Sequence, residues 1–339
     1  MKLFVQIPCL NEALTLPSVI RDIPRSLEGV DEVKILVIDD GSLDTTAEVA
    51  YEEGSDFVLR LPYTQGLARA FSAGINRCLE LGADIIVNTD GDHQYEGKDI
   101  PKLIQPILAG KADIVIGDRQ VRSLAHFCLL KKCLQKLGSR TVGLLSNVRV
   151  PDATSGFRAY SREAALRLNV FSKFTYTLET IIQAGKNQMA VAHVPIQANA
   201  ATRESRLFAT IPTYMKRSIA TILRIYALYE PLRTLFYIGG GIFAVGMVGV
   251  WRFFFYWLTG DGDGHIQSLI MSAVLLIMGV QVWVLGIIAD LISVNRRLGE
   301  ELLYRMKKYQ GSISDEVALM SANTSQWRGP TKEKVGKVL

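Results

Sequence analysis

The sequence contains little cysteine: four residues in 339, with no Cys-x-x-Cys pair among them. We therefore expect reduced thiols with mostly structural roles. Cys128 and Cys133 lie near His126, but their spacing matches no common zinc pattern, so a zinc site there is disfavoured.

Two nucleotide-binding motifs are missing as well. The first predicted strand runs into Pro8-Cys9-Leu10-Asn11-Glu12 and not into Gly-x-Gly-x-x-Gly, which argues against a dinucleotide-binding fold. No Walker-type Gly-Lys-Ser/Thr occurs, which argues against an NTP-hydrolysing switch or motor. The apolar run at residues 1–5 is too short for a signal peptide, so we expect that the N-terminal part is not exported.

Apolar residues, by contrast, are concentrated in the last third of the chain. Residues 233–258 and 266–294 are almost uninterrupted apolar and aromatic sequence, and each run can cross ~30 Å of hydrocarbon as a helix. Only residues 259–265 separate them, which predicts an antiparallel transmembrane hairpin. The lengths and flanking charges disfavour the alternative, a buried helical hairpin of a soluble protein.

Charged residues predict the orientation of this hairpin. Both outer flanks carry lysine and arginine, whereas the connection carries two aspartates. The positive-inside rule therefore places both termini in the cytoplasm. The net charge of +5 is modest and its basic excess clusters around the apolar runs, which indicates attraction to anionic lipid headgroups and not to nucleic acid.

Short apolar strands alternate with helix-period segments through the first half. The predicted strands are Leu3 to Ile7, Ile35 to Ile38, Phe57 to Arg60, Ile85 to Asn88 and Ile114 to Gly117. The predicted helices lie near residues 14–23, 45–53, 68–81 and 100–108. This alternation predicts a parallel α/β sheet of the nucleotide-binding type.

Two carboxylates follow the fourth of these strands, Asp90 and Asp92. In an open α/β sheet, ligands collect beyond the carboxyl ends of the strands. Carboxylates this close repel unless a cation or a donor lies between them. The pair therefore predicts a site for Mg²⁺ or Mn²⁺ and a substrate phosphate, with a plain Asp-Gly turn as the alternative.

Other strand ends and loops also carry polar residues. Asp39 and Asp40 end the second strand and are predicted to bind a ribose hydroxyl or a base N–H, whereas Ser42 and Asp44 are predicted helix caps. The loop from Asp152 to Arg158 combines an acid, two hydroxyls, a glycine and a cation. Such loops often bind polar substrate groups, although a connecting loop can have the same composition.

Eight segments, taken in order, resemble the family 2 glycosyltransferases of the dolichyl- or polyprenyl-phosphate sugar synthase type. The resemblance covers roughly residues 1–210 and implies a GT-A fold, a nucleotide-sugar donor, a divalent ion and a lipid-phosphate acceptor. The segments are Pro8 to Glu12, Asp39 to Thr45, Gly66 with Ala70 and Gly74, Asp90 to Gln94, Gly117 to Arg119, Asp152 to Arg158, Val194 to Ile196, and Arg203 to Arg206.

Together with the hairpin, this resemblance divides the chain into five parts. Residues 1–202 are expected to form a Rossmann-like GT-A catalytic domain, and residues 203–232 amphipathic interfacial helices. Helices at 233–258 and 266–294 cross the membrane, and residues 295–339 form a basic cytoplasmic tail. The expected location is a bacterial inner membrane, and a homo-oligomer is expected because such hairpins often pack against their own copies.

The resemblance also implies roles for single residues. Asp90 and Asp92 would organise the sugar, the metal and the pyrophosphate, and the Asp152 to Arg158 loop would contribute Asp152 and Ser155 to the site. The nucleotide would be held by Pro8, Asn11, Glu12, Asp39 and Asp40, with Gln94 beside the metal. Arg119, Arg203 and Arg206 would face the acceptor phosphate, for which the arginine fork is suited.

The chemistry needs no strong general base, because a phosphate monoester with a second pKa of about 6 is largely ionised at neutral pH. In-line placement of that anion behind the anomeric carbon implies displacement with inversion. The acids are therefore expected to orient groups and not to abstract protons.

Three positions depart from the family pattern. Tyr63 to Leu67 lacks the usual lysine, His193 replaces an acid, and Tyr95-Glu96 replaces two prolines. The donor sugar, its nucleotide (UDP or GDP) and the lipid length therefore stay open. The alternatives are a catalytically silent membrane scaffold and a processive polysaccharide synthase, whose Gln-x-x-Arg-Trp motif is only imitated by Gln326-Trp327-Arg328.

Overall fold

The computed structural model describes residues 1–120, 143, 146, 148, 150–170, 176–199, 230–260 and 266–326, with side chains as far as 309. Two compact units are present, Met1–Arg206 with Leu303–Leu339, and Leu207–Leu302. Arg203, Arg206 and most of the predicted interfacial segment lie outside the described residues. Cys9 and Cys78 are buried free thiols as predicted, whereas Cys128 and Cys133 lie outside the described ranges.

The first unit is built on one seven-stranded sheet with the order β3-β2-β1-β4-β6-β5-β7. Its strands are β1 (Lys2–Cys9), β2 (Glu32–Asp39), β3 (Phe57–Arg60), β4 (Ile85–Asn88), β5 (Ile114–Asp118), β6 (Arg158–Ser161) and β7 (Val191–Pro195). The central strands β1, β2 and β4 are almost continuously buried, as expected of parallel strands covered on both faces.

The prediction of a wholly parallel sheet is wrong at β6, which runs antiparallel to both β4 and β5. This strand and β7 were also not predicted as strands. The strand β6 begins at the edge of the sheet where β4 and β5 end, and therefore runs in the opposite direction to both. Four residues, Arg-Ala-Tyr-Ser, carry no period that encodes such a direction.

Within the described ranges, six α-helices accompany these strands; the first four lie close to the predicted positions, and the last two were not predicted. The helices are α1 (Leu16–Asp22), α2 (Thr46–Glu52), α3 (Leu67–Glu80), α4 (Ile100–Leu108), α5 (Arg162–Arg167) and α6 (Thr177–Lys186). Register places the end of β1 beside the end of β2, with Cys9 opposite Asp39, and pairs Gln6 of β1 with Asn88 of β4. The loops that follow β1, β2 and β4 therefore meet at one edge of the sheet.

The second unit contains α7 (Pro231–Leu258) and the first part of α8 (Ile266–Gln326). Both helices are long and apolar enough to cross a membrane. The Trp283 indole N–H donates to the Phe236 carbonyl at 3.1 Å, and their rings stack at 5.5 Å. Most large apolar side chains of these helices are exposed. The predicted second span, 266–294, is only part of α8, which continues to Gln326.

The part of α8 that belongs to the first unit packs on α5. The Tyr304 hydroxyl donates to Glu163 at 2.8 Å, and the Arg167 guanidinium lies 4.3 Å from the centre of the Tyr304 ring. Only 8% of Tyr304 is exposed. Residues predicted as a tail therefore contribute a buried aromatic contact to the sheet-containing unit.

Candidate active site

The turn after β4 places Asp90 and Asp92 at the carboxyl edge of the sheet. A Cβ on Gly91 would lie 2.8 Å from the Cys9 sulfur, so only glycine lets this turn pack against the end of β1. Both oxygens of Asp92 accept hydrogen bonds from Gln94, one from its backbone N–H at 3.2 Å and one from its side-chain amide at 2.7 Å. Gln94 thus orients the second carboxylate of the pair.

The electrostatics of Asp90 are those of a site that favours a cation. Burial raises the pKa of the Asp90 carboxyl, the charge of Asp92 raises it further, and Arg119 opposes both. A carboxyl held in this way is stabilised in its ionised form when a positive charge binds beside it.

The donors present fit a hard divalent ion that is shared with a diphosphate. Among the residues that the structure describes, no three His, Cys, Asp or Glu side chains are grouped to hold a metal. The chain would therefore supply one or two carboxylate ligands, from Asp92 and Asp90. Mg²⁺ and Mn²⁺ accept such sites, because phosphate oxygens and water complete their coordination.

The loop after β1 is tied to the neighbouring loops by hydrogen bonds. Asn11, at φ 54°, donates its backbone N–H to the Ser42 hydroxyl at 2.9 Å, so Ser42 accepts a bond from another loop and is not the predicted helix cap. The Thr15 hydroxyl lies within hydrogen-bond distance of two acceptors, the Glu12 carboxylate at 2.9 Å and the Gly91 carbonyl at 2.7 Å. Asn11 and Glu12 are therefore brought to the same edge as the Asp90–Asp92 turn.

Three predicted nucleotide ligands are buried where the structure places them. Pro8 lies inside β1, and Asp39 is fully buried with one oxygen accepting from the Ser42 N–H at 2.8 Å. Asp40 is 3% exposed and accepts from the backbone N–H groups of Gln65 and Gly66, both at 2.8 Å. These carboxylates shape the loops around the expected nucleotide site, and direct contact with the nucleotide stays a prediction.

Arg119 and Asp152 form a bidentate pair. The Arg119 Nε–Asp152 Oδ2 distance is 2.7 Å and the Nη2–Oδ1 distance is 3.0 Å, and Nη2 also donates to the Thr154 hydroxyl at 2.8 Å. Burial alone would raise the pKa of Asp152, but the charge and hydrogen bonds of Arg119 outweigh it and hold the pKa below its ordinary value. Asp152 therefore orients Arg119.

The remaining residues of this loop have different surroundings. Ser155 is fully buried, and its hydroxyl has no hydrogen-bond partner among the described residues. Arg158, the cation that we grouped with possible substrate ligands, is fully buried and donates to the carbonyls of Ala153, Ser155 and Thr177 at 2.8–2.9 Å. Two of these carbonyls belong to the same loop and the third to the start of α6, where the Thr180 hydroxyl also accepts from Arg158 at 2.8 Å. For Arg158 the structure therefore favours the alternative, a connecting role, over a substrate contact.

Two polar residues beneath the site were not predicted, Asn88 and Tyr176. The Asn88 amide donates to the Tyr176 hydroxyl and to the Gly156 carbonyl, both at 2.9 Å. An amide at the end of an otherwise apolar strand was the available signal. The predicted acceptor residues Arg203 and Arg206 lie outside the described residues.

Two family descriptions match this chain. The family description "Glycosyl transferase family 2" matches residues 4–168, and "GtrB C-terminal hairpin" matches residues 230–294. A UDP-N-acetylglucosamine–dolichyl-phosphate N-acetylglucosaminyltransferase of Methanococcus voltae is 30% identical, over 58% of this chain and 84% of that protein. An undecaprenyl-phosphate mannosyltransferase of Micrococcus luteus is 28% identical, over 58% and 83%.

A solved structure is similar in fold. It is glucosyl-3-phosphoglycerate synthase of Mycobacterium tuberculosis in complex with Mn²⁺, UDP and glucosyl-3-phosphoglycerate, with a TM-score of 0.52 and 25% identity. The likeness covers 67% of this chain and 80% of that one. The predicted GT-A fold is thereby confirmed, with the mixed sheet described above. The chain belongs to glycosyltransferase family 2.

Proposed function

We propose that this protein is a membrane-anchored, inverting glycosyltransferase that moves a hexose from a UDP- or GDP-linked donor to polyprenyl phosphate. The observation that carries the proposal is the Asp90–Asp92 pair, which lies at the carboxyl edge of the sheet with an oriented arginine among its charged neighbours. The carboxylates suit a metal-bound diphosphate, and the arginine suits a second phosphate. The names of the relatives support a lipid phosphate as the acceptor.

On the donor side, the loops after β1 and β2 would hold the nucleotide, with Asn11, Glu12 and Asp40 as the predicted contacts. Asp92, oriented by Gln94, and Asp90 would hold Mg²⁺ or Mn²⁺. When bound, this ion would stabilise the negative charge of the departing nucleoside diphosphate.

On the acceptor side, Arg119 would bind the lipid phosphate, with Arg203 and Arg206 as further predicted cations. The bidentate bond to Asp152 holds the Arg119 guanidinium in one orientation before the acceptor arrives. The phosphate is ionised at neutral pH, so the residues position the nucleophile and no side chain needs to remove its proton.

In this proposal residues 1–202 are the catalytic domain, and the helices at 233–258 and 266–294 cross the membrane. The positive-inside rule places catalysis on the cytoplasmic face, and the expected location is a bacterial inner membrane. A polyprenyl chain would be presented from the same bilayer that anchors the enzyme.

The proposal is tested by incubating the detergent-purified protein with undecaprenyl phosphate, Mn²⁺ or Mg²⁺, and a panel of UDP- and GDP-sugars. We expect one donor to give a lipid-linked sugar in a metal-dependent reaction. Asp92→Asn should lower the rate at least ~100-fold, because it removes a charge that holds the metal. The matched control is Glu52→Gln, which removes a carboxylate charge on the exposed part of α2.

A different result would favour another role. Full transfer by Asp92→Asn would exclude the proposed metal site. Absence of product from every donor, in a protein that binds nucleotide and remains in the membrane, would favour the catalytically silent scaffold.

A further inference from the structure

The loop that precedes β6 lies directly against Asp90. The antiparallel register of β4 and β6 pairs Asn88 with Arg158 and Val87 with Ala159. Continued two residues beyond the ladder, this register places Asp90 opposite Gly156. A Cβ on Gly156 would lie 2.8 Å and 2.9 Å from the two Asp90 oxygens. The Gly156 backbone therefore packs directly against one side of the Asp90 carboxylate.

Gly156 is held at both of its backbone polar groups. Its N–H donates to the Tyr95 hydroxyl at 3.0 Å, and its carbonyl accepts from the Asn88 amide at 2.9 Å. Buried backbone groups need such partners, and here both partners are side chains from the β4 region. The carbonyl has a second, longer partner, because the Tyr176 hydroxyl also donates to it at 3.4 Å, whereas Tyr95 is the partner of the N–H. Removing the Tyr95 hydroxyl therefore leaves the buried N–H unbonded, which costs free energy and loosens the hold on the loop.

The two holding residues are themselves fixed. Tyr95 is 4% exposed and its ring stacks on Phe157 with centres 5.2 Å apart. Asn88 is fully buried, and its carbonyl oxygen accepts from the Gln6 amide at 2.9 Å. The second hydrogen of the Asn88 amide reaches the Tyr176 hydroxyl, whose ring lies flat on Phe71 at 3.9 Å.

We propose that Tyr95 and Asn88 are positioning residues that fix the Asp90 carboxylate for metal binding by clamping Gly156 against it. This inference rests on the proposed function, because it presupposes that Asp90 helps to hold the metal ion. Neither residue touches the reacting atoms, and each acts through the Gly156 backbone.

Tyr95→Phe is the sharpest test, because it deletes the hydroxyl that accepts the Gly156 N–H and keeps the ring that stacks on Phe157. Tyr304→Phe is the matched control. It also deletes a buried phenol hydroxyl in the same unit, the one that Tyr304 of α8 donates to Glu163 of α5. The measurement is Mn²⁺ binding followed by the electron paramagnetic resonance signal of the free ion, with UDP and with GDP. Thermal unfolding of each variant is recorded alongside.

We expect Tyr95→Phe to weaken Mn²⁺ binding about tenfold, as the loss of an indirect partner of a metal ligand commonly does. Tyr304→Phe should lower the unfolding temperature and leave Mn²⁺ binding unchanged. Gly156→Ala should weaken binding more than Tyr95→Phe, because its methyl group would displace Asp90 directly. In the transfer assay, Tyr95→Phe should lower kcat and leave the KM for polyprenyl phosphate unchanged.

Wild-type Mn²⁺ affinity in Tyr95→Phe or in Gly156→Ala would overturn the inference, as would equal weakening in Tyr95→Phe and Tyr304→Phe. A wild-type protein that binds no Mn²⁺ with either nucleotide would overturn both this inference and the proposed metal site. Tyr95-dependent Mn²⁺ binding in a protein that forms no glycolipid would uphold the inference and exclude the proposed acceptor reaction.

Discussion

At the scale of single residues, charged groups of the candidate site are oriented by dedicated partners. Gln94 bonds both oxygens of Asp92, and Asp152 bonds two nitrogens of Arg119. Side chains held in this way need less reorganisation when a phosphate or a metal binds, which is how preorganised sites lower a barrier. The orienting residues should therefore affect transfer almost as strongly as the residues they orient.

The variant Asp152→Asn tests whether the residue that orients Arg119 affects stability and transfer. The substituted amide can accept from only one nitrogen of Arg119 and turns its own N–H towards the other, leaving the buried cation uncompensated. We expect about 3 kcal/mol less stability, the usual scale for breaking a buried pair, and at least a ~10-fold higher KM for the lipid phosphate. Denaturant unfolding and initial rates measure the two effects.

The pH dependence of this pair has a definite sign. The pKa of Asp152 lies below its ordinary value of 3.8 in the folded protein, so the stabilisation is fully present above that value. It is lost as the pH falls through the lowered pKa. The stability difference between wild type and Asp152→Asn should therefore be constant from about pH 8 to pH 5 and shrink only below about pH 4.

Glu53→Gln is the matched control, because Arg21 and Glu53 make the same two-pronged contact, at 2.7 Å and 2.5 Å, with Arg21 70% exposed. Exposed pairs contribute only about 0–1 kcal/mol, and we expect no change in transfer. A stability loss in Asp152→Asn as small as in Glu53→Gln would contradict the interpretation of a buried, orienting pair.

Sequence reasoning named the charged residues of the candidate site together with Gln94 and Asp152, but not the contacts that join them. Asp90 and Asp92 were identifiable from their place after a strand, Asp152 from the composition of its loop, and Arg119 from the family resemblance. The role of Arg158 was not, because its burial follows from β6 pairing with β4, some 70 residues earlier in the chain. The Gly156 contacts depend on the same non-local register, which no local pattern encodes.

At the scale of secondary-structure elements, the predictable strands were those with continuous apolar runs. The runs Ile35 to Ile38 and Ile85 to Asn88 lie within or coincide with β2 and β4. The short strands β6 and β7 carry polar residues and lie beyond the regular alternation of strands and helices. Their pairing is decided by tertiary contacts, which is why the sheet was predicted as parallel.

The packing of α7 against α8 gives a prediction at this scale. A Cβ on Gly239 would lie 2.7 Å from the Trp283 ring and 2.9 Å from the Gly279 carbonyl, whereas a Cβ on Gly240 would meet nothing within 4 Å. Close backbone approach through small residues is a common way for membrane helices to associate. Gly239→Ala should therefore destabilise the hairpin by about 1–3 kcal/mol through overpacking.

Gly240→Ala is the control on the same helix turn, and should leave stability unchanged or raise it slightly. Thermal unfolding of both variants in one detergent provides the comparison. Equal unfolding temperatures for the two variants would mean that α7 and α8 do not make the close contact described.

At the scale of the whole molecule, the distribution of charge around the hairpin predicts its topology. The connection at 259–265 contains Asp261 and Asp263, and the outer flanks contain the lysines and arginines. Positive flanks stay in the cytoplasm, so the connection should face the opposite side of the membrane from the catalytic unit. A cytoplasmic catalytic unit also requires a donor made in the cytoplasm, as nucleotide-sugars are.

This topology can be tested with single thiols. Cys9 and Cys78 are buried, so replacing Cys128 and Cys133 by serine leaves a background with little reactive thiol. In right-side-out vesicles, a membrane-impermeant maleimide should label Asp263→Cys at once and label Glu52→Cys, on exposed α2, only after permeabilisation.

The reverse labelling pattern would place the sheet-containing unit outside the cytoplasm, where no nucleotide-sugar is supplied, and would exclude the proposed reaction. Labelling of both thiols from outside would mean that the two apolar helices do not form a spanning hairpin. Labelling confined to the connection is the one result that agrees with a cytoplasmic enzyme. In that topology the basic flanks and the Asp90–Asp92 site lie on the cytoplasmic side of the hairpin, where the soluble donor and the lipid phosphate can both reach the site.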